Sequence, residues 1–408
     1  MKNGFLIFIE SNTSGTGRLF VKAACDLGYR PVLLVADPQR YEFIRLDSVA
    51  YVQCDTSSQS NMVAEIAALQ KEAGIAGIFS SSEYFIEVAA LLASAHGLPG
   101  ENPLALRNCR NKAIQRQYLQ KAGLRIPRFE CVNTVEDAIL SLQKIPFPVV
   151  VKPTMGSGSV GVRLCYSATN VADHASALLQ RKVNERGLPL PEEVLIEEYL
   201  VGPEFSVETL GQTALGITRK HVSPEPFFVE LGHDFPAGLS SQIAASMVAV
   251  AQSGLCSLGL GWGPAHVEIR LTNDGPTIIE INPRLAGGFI PEIVRLALGV
   301  DVIRETVKLV AGEPVNLQPS YCEHASIRFL TPKQDGVITA IQGLEEAATM
   351  QGVVDIQAYR GVGDQVGIRN DFRDRIGHVI SRAELEVNAA HLSEAARNKI
   401  SFAVQAQA

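Results

Sequence analysis

The sequence has 408 residues, of which 46% are hydrophobic and 19% charged, and its formal net charge is −7. This composition is typical of a folded chain with several domains and excludes an intrinsically disordered one. Because no block of Lys and Arg occurs, we expect neither a nucleic-acid nor a membrane partner. Seven scattered cysteines without a Cys-x-x-Cys pair favour reduced thiols in a cytoplasmic protein. No apolar stretch approaches the ~20 residues of a membrane span, and the N-terminal run is shorter than a signal-peptide core.

The first hundred residues alternate strand and helix patterns. Apolar segments at 5–9, 31–37 and 75–80 predict buried strands, and the segments at 17–28 and 84–97 predict helices. Strands that alternate with helices of this length indicate βαβ units around a parallel sheet with both faces covered. The sequence therefore predicts a doubly wound α/β domain at the N-terminus.

The rest of the chain has a different pattern. A polar helix is predicted over 106–123, and a second helix follows Thr134, a residue suited to the N-cap position. Strand patterns dominate from 160 to 312, and the last ninety residues mix short strands and helices. The sequence therefore predicts a compact α+β body behind the N-terminal domain.

The turn after the first strand contains Gly15-x-Gly17 and is followed by a helix, and Asp37 ends the second strand. This arrangement resembles a dinucleotide-binding fingerprint, although Phe20 occupies the position of its third glycine. A plain small-residue turn, an anion- or substrate-binding turn and an NAD-binding turn all remain open.

Two apolar strands flank the turn "TNDG" and should form an antiparallel hairpin. If the turn centres near Asp274, Glu268 lies opposite Glu280, and like charges at that spacing destabilise a sheet. A divalent cation would remove the conflict, and Asn282 lies on the same face. Two carboxylates and an amide oxygen suit Mg²⁺. The alternative is a strand face in water with solvated carboxylates.

Basic and glycine residues adjoin this acidic pair. Arg270 and Arg284 bracket it, either to neutralise it or to bind phosphates and a developing acyl-phosphate charge. Gly287 and Gly288 precede a helix, where backbone N–H groups could contact a carboxylate or phosphate or could form only a tight turn.

The glycine-rich segment 154–161 follows Lys152 and lies between two strand patterns. No helix follows it, so it predicts a hairpin loop rather than a P-loop, with backbone N–H groups that can still contact phosphates. We expect a mobile flap, poorly ordered without nucleotide. The strand-turn-strand at 194–208 could use exposed backbone at 198–200 for an adenine edge and Glu204 for ribose, or could be an ordinary hairpin.

Three further side chains are candidates for substrate contacts. Glu83, at the end of a strand, could hold an ammonium group or cap the next helix. Glu230 and His233 fall in an apolar, Pro-rich loop and could shape an amine site. For His233 the alternative is an exposed loop histidine without a role.

Together these segments resemble the ATP-grasp superfamily. Its motifs match, in order, "RNKAIQRQYLQKAGLRIP", "FPVVVKPTMGSGSVGV", "IEEYLVGPEFSVE", "HVEIRL" and "IIEINPRLAGG", and the resemblance covers essentially the whole chain. Within the superfamily the chain looks like the L-amino-acid ligases and carnosine-synthase-like carboxylate–amine ligases. The resemblance implies a pre-ATP-grasp domain (1–105), a small lobe with the flap (106–195), a large lobe with the metal site (196–315) and a C-terminal lobe (316–408).

The resemblance also implies the site. ATP would contact Lys112, Lys152, Gly156, Ser157, Ser159, Glu197, Glu198, Leu200 and Glu204. Mg²⁺ or Mn²⁺ would bind Glu268, Glu280 and Asn282. The candidate catalytic residues are Arg284, Arg270 and Lys220, and the candidate substrate contacts are Glu83, Glu230, His233, Gly287 and Gly288.

The predicted function is an ATP-dependent ligase that activates a carboxylate as an acyl-phosphate and joins it to an amine. Amino-acid substrates and a dipeptide or peptide-like product are expected, and a homodimer is common among such enzymes. The alternatives are an ATP-grasp ligase of another pathway (siderophore or antibiotic tailoring, purine-type ligase, or carboxylase) and an NAD-binding oxidoreductase.

Overall fold

The computed structural model describes residues 4–13, 15–184 and 187–406. In this part of the chain the strands form four sheets. No helix among the described residues is long and apolar enough to cross a membrane.

The N-terminal sheet is parallel and has the strand order β3-β2-β1-β4. Its strands are β1 (Phe5–Ile9), β2 (Arg30–Val35), β3 (Ala50–Gln53) and β4 (Ile75–Phe79). Its helices are α1 (Thr16–Asp26), α2 (Glu42–Leu46), α3 (Gln59–Glu72) and α4 (Ile86–Ala95). Leu6 and Phe8 pack against α1, whereas Phe5, Ile7 and Ile9 pack against α3 and α4. Helices cover both faces, so the predicted doubly wound architecture is confirmed.

The Gly-x-Gly turn between β1 and α1 brings backbone segments into close approach. A Cβ on Gly17 would lie 2.1 Å from the carbonyl oxygen of Asn12, closer than any side chain allows. Gly15 has open space around it and a φ of +67°, a conformation that favours glycine. Both glycines are therefore required by the geometry of the turn itself.

The second sheet is antiparallel, with the order β5-β8-β6-β7. Its strands are β5 (Phe129–Val132), β6 (Val149–Pro153), β7 (Arg163–Cys165) and β8 (Val194–Glu198). Its helices are α5 (Pro103–Arg110), α6 (Lys112–Lys121), α7 (Val135–Ser141) and α8 (Ala168–Leu179). The single helix predicted over 106–123 was wrong, because Asn111 ends α5 and its side chain caps α6. Thr134 caps α7, as predicted.

The largest sheet has eight strands, in the order β13-β12-β9-β10-β11-β14-β18-β16. They are β9 (Glu204–Leu210), β10 (Thr213–Val222), β11 (Glu230–Phe235), β12 (Pro264–Thr272), β13 (Gly275–Asn282), β14 (His324–Leu330), β16 (Val353–Ala358) and β18 (Gly377–Ala383). Helices α9 (Ser241–Leu258) and α10 (Ile290–Leu298) pack against it, whereas α11 (Val302–Val310) packs against α1 of the N-terminal domain. A core built on Met247, Leu255 and Val267 joins α9 to this sheet.

A small sheet completes the C-terminal part with the order β17-β15-β19. Its strands are β15 (Gly336–Gln342), β17 (Gln365–Val366) and β19 (Ser401–Gln405), with helices α12 (Leu344–Ala348) and α13 (Glu386–Lys399) nearby. Strands β14, β16 and β18 of the same part belong to the eight-stranded sheet, through the pairing of β11 with β14. The C-terminal segment is therefore continuous with the sheet that carries the predicted site.

Candidate active site

A cleft of about 870 Å³, open to solvent, lies between the small antiparallel sheet and the eight-stranded sheet. The structure brings most of the predicted site residues together in its lining. These are Lys112, Lys152, Gly156, Ser157, Ser159, Glu197, Glu198, Leu200, Glu204, Lys220, Glu230, Glu268, Arg270 and Glu280. The other predicted residues do not line the cleft. Glu83 pairs with Arg284, and Asn282 lies on β13, paired with β12. Gly287 and Gly288 lie in the loop that approaches His233.

The carboxylate hairpin has the predicted pairing, because Glu268 lies opposite Glu280 across β12 and β13. The route to that register differs from the prediction. The turn contains two residues, so Thr272 pairs with Gly275, and a β-bulge at Ile279 shifts the register by one. Without the extra residue, Glu280 would point to the opposite face of the sheet. The bulge therefore places the second carboxylate.

In the described structure two lysines neutralise the carboxylates. Lys112 Nζ lies 3.0 Å from Glu280 Oε1, and Lys220 Nζ lies 3.2 Å from Glu268 Oε1. His266 contacts Glu268 at 3.2 Å. Burial opposes the charged imidazolium, but Glu208 and Glu268 overcome this and raise the pKa of His266 to about 9. The acidic pair thus lies among cations, as two buried like charges require.

The donor set fits a hard divalent cation. Glu268 and Glu280 offer carboxylate oxygens from facing strands, and Asn282, two residues beyond Glu280, lies on the same face with an amide oxygen. The described residues contain no group of three or more His, Cys, Asp and Glu arranged to hold a metal. Any further ligands for Mg²⁺ would therefore come from the nucleotide and from water.

The glycine-rich segment is the loop of the hairpin formed by β6 and β7, so the predicted hairpin is confirmed. Lys152, at its base, contacts Glu197 at 2.5 Å. Lys112 donates a hydrogen bond of 2.6 Å to the carbonyl of Gly156 in the loop. Ser159 anchors the far side by donating to the carbonyl of Phe228 at 2.8 Å. The mobility of the flap stays a prediction.

The connector after β8 differs from the prediction of exposed backbone. The amide of Glu198 donates to the carbonyl of Arg128, and the carbonyl of Leu200 accepts a 2.6 Å hydrogen bond from Arg270. The side chain of Glu197 is buried and pairs with Arg116 at 2.6 Å. These groups therefore already have protein partners, namely the backbone of Arg128 and the side chains of Arg270 and Arg116. A ligand would have to displace those partners or use other atoms of this segment.

Lys220 contacts three carboxylates. Its Nζ lies 3.0 Å from Glu204, 2.7 Å from Glu230 and 3.2 Å from Glu268. Burial favours the neutral amine, but Glu230, Glu268 and Glu204 together raise the pKa of Lys220 well above its ordinary value. Lys220 is therefore a permanent cation in the floor of the cleft.

Arg270 marks the aromatic end of the cleft. It contacts Glu204 at 3.2 Å, and its guanidinium lies over the rings of Tyr199 and Phe228, at 5.3 and 5.2 Å from their centroids. This arrangement neutralises Glu204 and combines a cation with two flat apolar surfaces. It is suited to a planar ring attached to a polar group.

Glu83 and Arg284 form a buried pair between the N-terminal domain and the large sheet. Two guanidinium nitrogens of Arg284 donate to Glu83 Oε2 at 3.0 and 3.1 Å, across 201 residues of sequence. Burial raises the pKa of Glu83, but Arg284 and Lys112 outweigh it and lower that pKa overall. The alternative that Glu83 caps a helix was wrong, because α4 begins after Phe85 without a side-chain cap.

Glu230 and His233 lie on strand β11 and not in a loop, so that prediction was wrong. His233 is fully buried, and neither ring nitrogen has a hydrogen-bond partner among the described residues. Burial lowers the pKa of His233 to about 3, so its ring is neutral. Gly288 has a φ of +60°, and a Cβ there would lie 2.6 Å from His233 Nε2. The glycine is thus required by the close approach of its loop to β11.

Two charged residues of the site were missed from the sequence. Arg116 is fully buried between Glu197 and the carbonyl of Ile279. The helical spacing of Lys112, Arg116 and Leu119 could have predicted its burial, because these residues share the buried face of α6. A charged residue on such a face needs a partner of opposite charge. Arg375, which contacts Glu230 from the C-terminal segment, carries no such signal.

Comparison with known proteins shows which family the chain belongs to. A family model described as ATP-grasp domain matches residues 145–292, and one described as L-amino acid ligase C-terminal domain 2 matches residues 328–405. The uncharacterized protein y4rH of Sinorhizobium fredii is 37% identical over 399 residues, which cover 98% of this chain and 83% of that protein. Carnosine synthase 1 of Homo sapiens is 28% identical over 324 residues, which cover 73% of this chain but only 39% of that longer protein.

The fold has a similar counterpart among solved structures. The crystal structure of L-amino acid ligase from Bacillus licheniformis superposes with a TM-score of 0.83 at 23% sequence identity, covering 99% of this chain and 100% of that one. The fold is that of the ATP-grasp class. This chain belongs to the ATP-grasp carboxylate–amine ligases, a family whose members use ATP and Mg²⁺. The comparisons lend no support to the oxidoreductase alternative.

Proposed function

We propose that the enzyme activates the carboxylate of one α-amino acid as an acyl-phosphate and joins it to the amino group of a second. The product is a dipeptide or a peptide-like amide. Carnosine synthase 1, a relative at 28% identity, and the L-amino acid ligase domain model both support amino-acid substrates. All seven cysteines are free thiols, which supports a reducing, cytoplasmic setting.

The observation that carries this proposal is the buried Glu83–Arg284 pair. An α-amino acid is a zwitterion, and here a carboxylate and a guanidinium lie in contact at 3.0 Å with side chains that are only 10% and 16% exposed. A bound amino acid would exchange partners with them, its ammonium taking Glu83 and its carboxylate taking Arg284. Because each protein charge is already paired, the empty site avoids an isolated buried charge.

The position of this pair fits the chemistry. Glu83 and Glu280 both help to raise the pKa of Lys112, and burial is the opposing effect. The amide of Arg284 donates to the carbonyl of Asn282 at 2.8 Å, so a carboxylate at Arg284 would lie beside the carboxylate hairpin. We assign phosphate contacts to Lys112 and Lys152, which lie beside the flap, and the nucleoside end to Arg270 and Glu204.

Each residue then has a defined contribution. Mg²⁺, when bound by Glu268, Glu280 and Asn282, supplies neutralisation of phosphate charge. Arg284 orients the attacking carboxylate and stabilises charge on the acyl-phosphate. The flap excludes water that would hydrolyse this intermediate. The amine then forms the C–N bond, the C–O bond to phosphate breaks, and the amine releases a proton.

A screen of amino-acid pairs for phosphate release, with product masses, tests the proposal. We expect ADP and phosphate to form only with a productive pair, and the product mass to equal the two amino acids minus water. Glu83→Gln should raise KM for the acyl-donor amino acid by roughly 10- to 100-fold, because a charged hydrogen bond is worth about 1.5–3 kcal/mol. KM for ATP should stay within about twofold.

Glu42→Gln is the control in the same domain, because Glu42 pairs with Arg45 on the surface, where both side chains are 76% exposed. We expect unchanged kinetics for that variant. Absence of ATP turnover with every pair would contradict the proposal, as would an unchanged KM in the Glu83 variant.

A further inference from the structure

Arg375 and Glu230 form a second arginine–glutamate pair, of which the glutamate lines the cleft. Arg375 donates to Glu230 Oε2 at 2.7 Å and to the carbonyl of Glu230 at 3.3 Å. Its guanidinium lies 3.8 Å from the centroid of the Phe329 ring, which fixes its orientation. Glu230 lines the cleft, and Arg375 belongs to the segment that matches the L-amino acid ligase C-terminal domain.

The two pairs flank the loop 284–289 from opposite ends of its sequence. Arg284 begins this loop, and a Cβ on Gly288 would lie 3.5 Å from a guanidinium nitrogen of Arg375. Each pair also adjoins one carboxylate of the hairpin. Lys112, next to Glu83, contacts Glu280, and Lys220, which contacts Glu230, also contacts Glu268. Two charge pairs therefore lie beside the carboxylate hairpin, one near each of its carboxylates.

An enzyme that joins two α-amino acids has to bind two charged substrates, and each substrate needs protein groups of opposite charge. The acyl donor loses its carboxylate charge in the reaction, but the amine substrate keeps an unreacted α-carboxylate throughout. When the flap closes, that carboxylate leaves bulk water and requires a cation. A guanidinium fixed by stacking presents paired donors to a carboxylate.

A polar group beside Arg375 also lacks a partner. Both nitrogens of the His233 ring are buried without a hydrogen-bond partner among the described residues. The ring lies 3.7 Å from Glu230 Oε2 and next to Gly288. Buried polar groups are normally satisfied, so an unsatisfied ring beside a charge pair indicates a place where a ligand supplies the partner.

We propose that Arg375, supplied by the C-terminal segment, binds the α-carboxylate of the amine substrate, and that Glu230 and Phe329 hold it in position. This inference rests on the proposed function and makes it more specific. The amine substrate is then an α-amino acid with a free carboxylate, and simple amines and amino-acid amides are poor substitutes. The C-terminal segment is a wall of the substrate site as well as part of the large sheet.

The test compares an amino acid with its amide as the amine substrate. An amino-acid amide has no carboxylate to activate, so it can react only as the amine. For wild-type enzyme we expect kcat/KM for the acid to exceed that for the amide by roughly 10- to 100-fold. In Arg375→Met, KM for the acid should rise by a similar factor, KM for the acyl donor and for ATP should stay within about twofold, and the preference for acid over amide should disappear.

Arg382→Met is the matched control. Arg382 also pairs with a glutamate, Glu323, at 2.5 Å and lies over the ring of Tyr321, but Glu323 lies outside the cleft lining, whereas Glu230, the partner of Arg375, belongs to it. This variant should keep the wild-type preference. Arg375→Lys, which retains the charge without the fork of donors, should recover part of the preference, and thermal midpoints of all variants report on folding.

Three results would overturn the proposal in different ways. Equal use of acid and amide by wild-type enzyme removes the need for a carboxylate-binding residue. Equal loss of activity with both amines in Arg375→Met would instead assign Arg375 to holding the C-terminal segment in place. Absence of ligation by wild-type enzyme with every pair would overturn the proposed function itself, and this inference with it.

Discussion

Replacing Glu280 with glutamine should lower kcat by roughly 10²- to 10³-fold, the range seen when one electrostatic contact to a transition state is removed. Glutamine keeps the shape of the side chain and can still accept a hydrogen bond from Lys112, so the fold should persist. The variant loses the charge that a divalent cation requires beside Glu268, its partner across the hairpin. The concentration of Mg²⁺ at half-maximal activity should therefore rise as kcat falls.

The measurement is steady-state phosphate release at several Mg²⁺ concentrations, with thermal unfolding as the check on folding. Glu292→Gln is the control, because Glu292 lies shortly after the hairpin and pairs with Arg295 on helix α10. That variant should behave as wild type. Unchanged turnover in Glu280→Gln would show that the carboxylate hairpin does not contribute to catalysis.

Replacing Arg116 with methionine should lower the free energy of unfolding by about 3–5 kcal/mol, the cost of breaking a buried ion pair. Arg116 is fully buried and binds both Glu197 and the carbonyl of Ile279. It thereby joins helix α6 to strand β8 and to the bulge that positions Glu280. Methionine fills similar volume but leaves Glu197 with Lys152 as its remaining ion-pair partner among the described residues.

The neighbouring glutamate provides the control for that measurement. Glu198 pairs with Arg128 on the surface, where the arginine side chain is 56% exposed. Arg128→Met should therefore cost only about 0–1 kcal/mol. Denaturant titrations of the two variants should differ clearly, and equal midpoints would show that burial of the Arg116 pair contributes nothing.

Local patterns in the sequence predicted much of the fold. The alternation of apolar strands and helices predicted the doubly wound domain, and the turn "TNDG" predicted the antiparallel hairpin of β12 and β13. These predictions succeed because period and turn chemistry act over a few residues. The bulge at Ile279 was not predicted, because an inserted residue changes the register without changing the composition of the strand.

Contacts between residues far apart in the sequence could not be predicted from local sequence patterns. Glu83 and Arg284 meet across 201 residues, and Arg375 reaches Glu230 only because β14 continues the large sheet. The prolines around His233 predicted a loop, but its segment forms strand β11, and pairing with β10 and β14 buries the side chain. Pairing between strands and contacts between distant segments determine where these residues lie. Patterns over a few neighbouring residues do not reveal such pairing.

The transfer of oxygen from the acyl donor to phosphate reports directly on an acyl-phosphate intermediate. An acyl-donor amino acid labelled with ¹⁸O in both carboxylate oxygens is ligated with unlabelled ATP, and the phosphate and dipeptide are analysed by mass spectrometry. An acyl-phosphate route predicts one ¹⁸O in the released phosphate and one in the new amide, because the bond that breaks joins the acyl carbon to the bridging oxygen. Unlabelled phosphate would contradict an acyl-phosphate intermediate, and label recovered in AMP would instead indicate an acyl-adenylate.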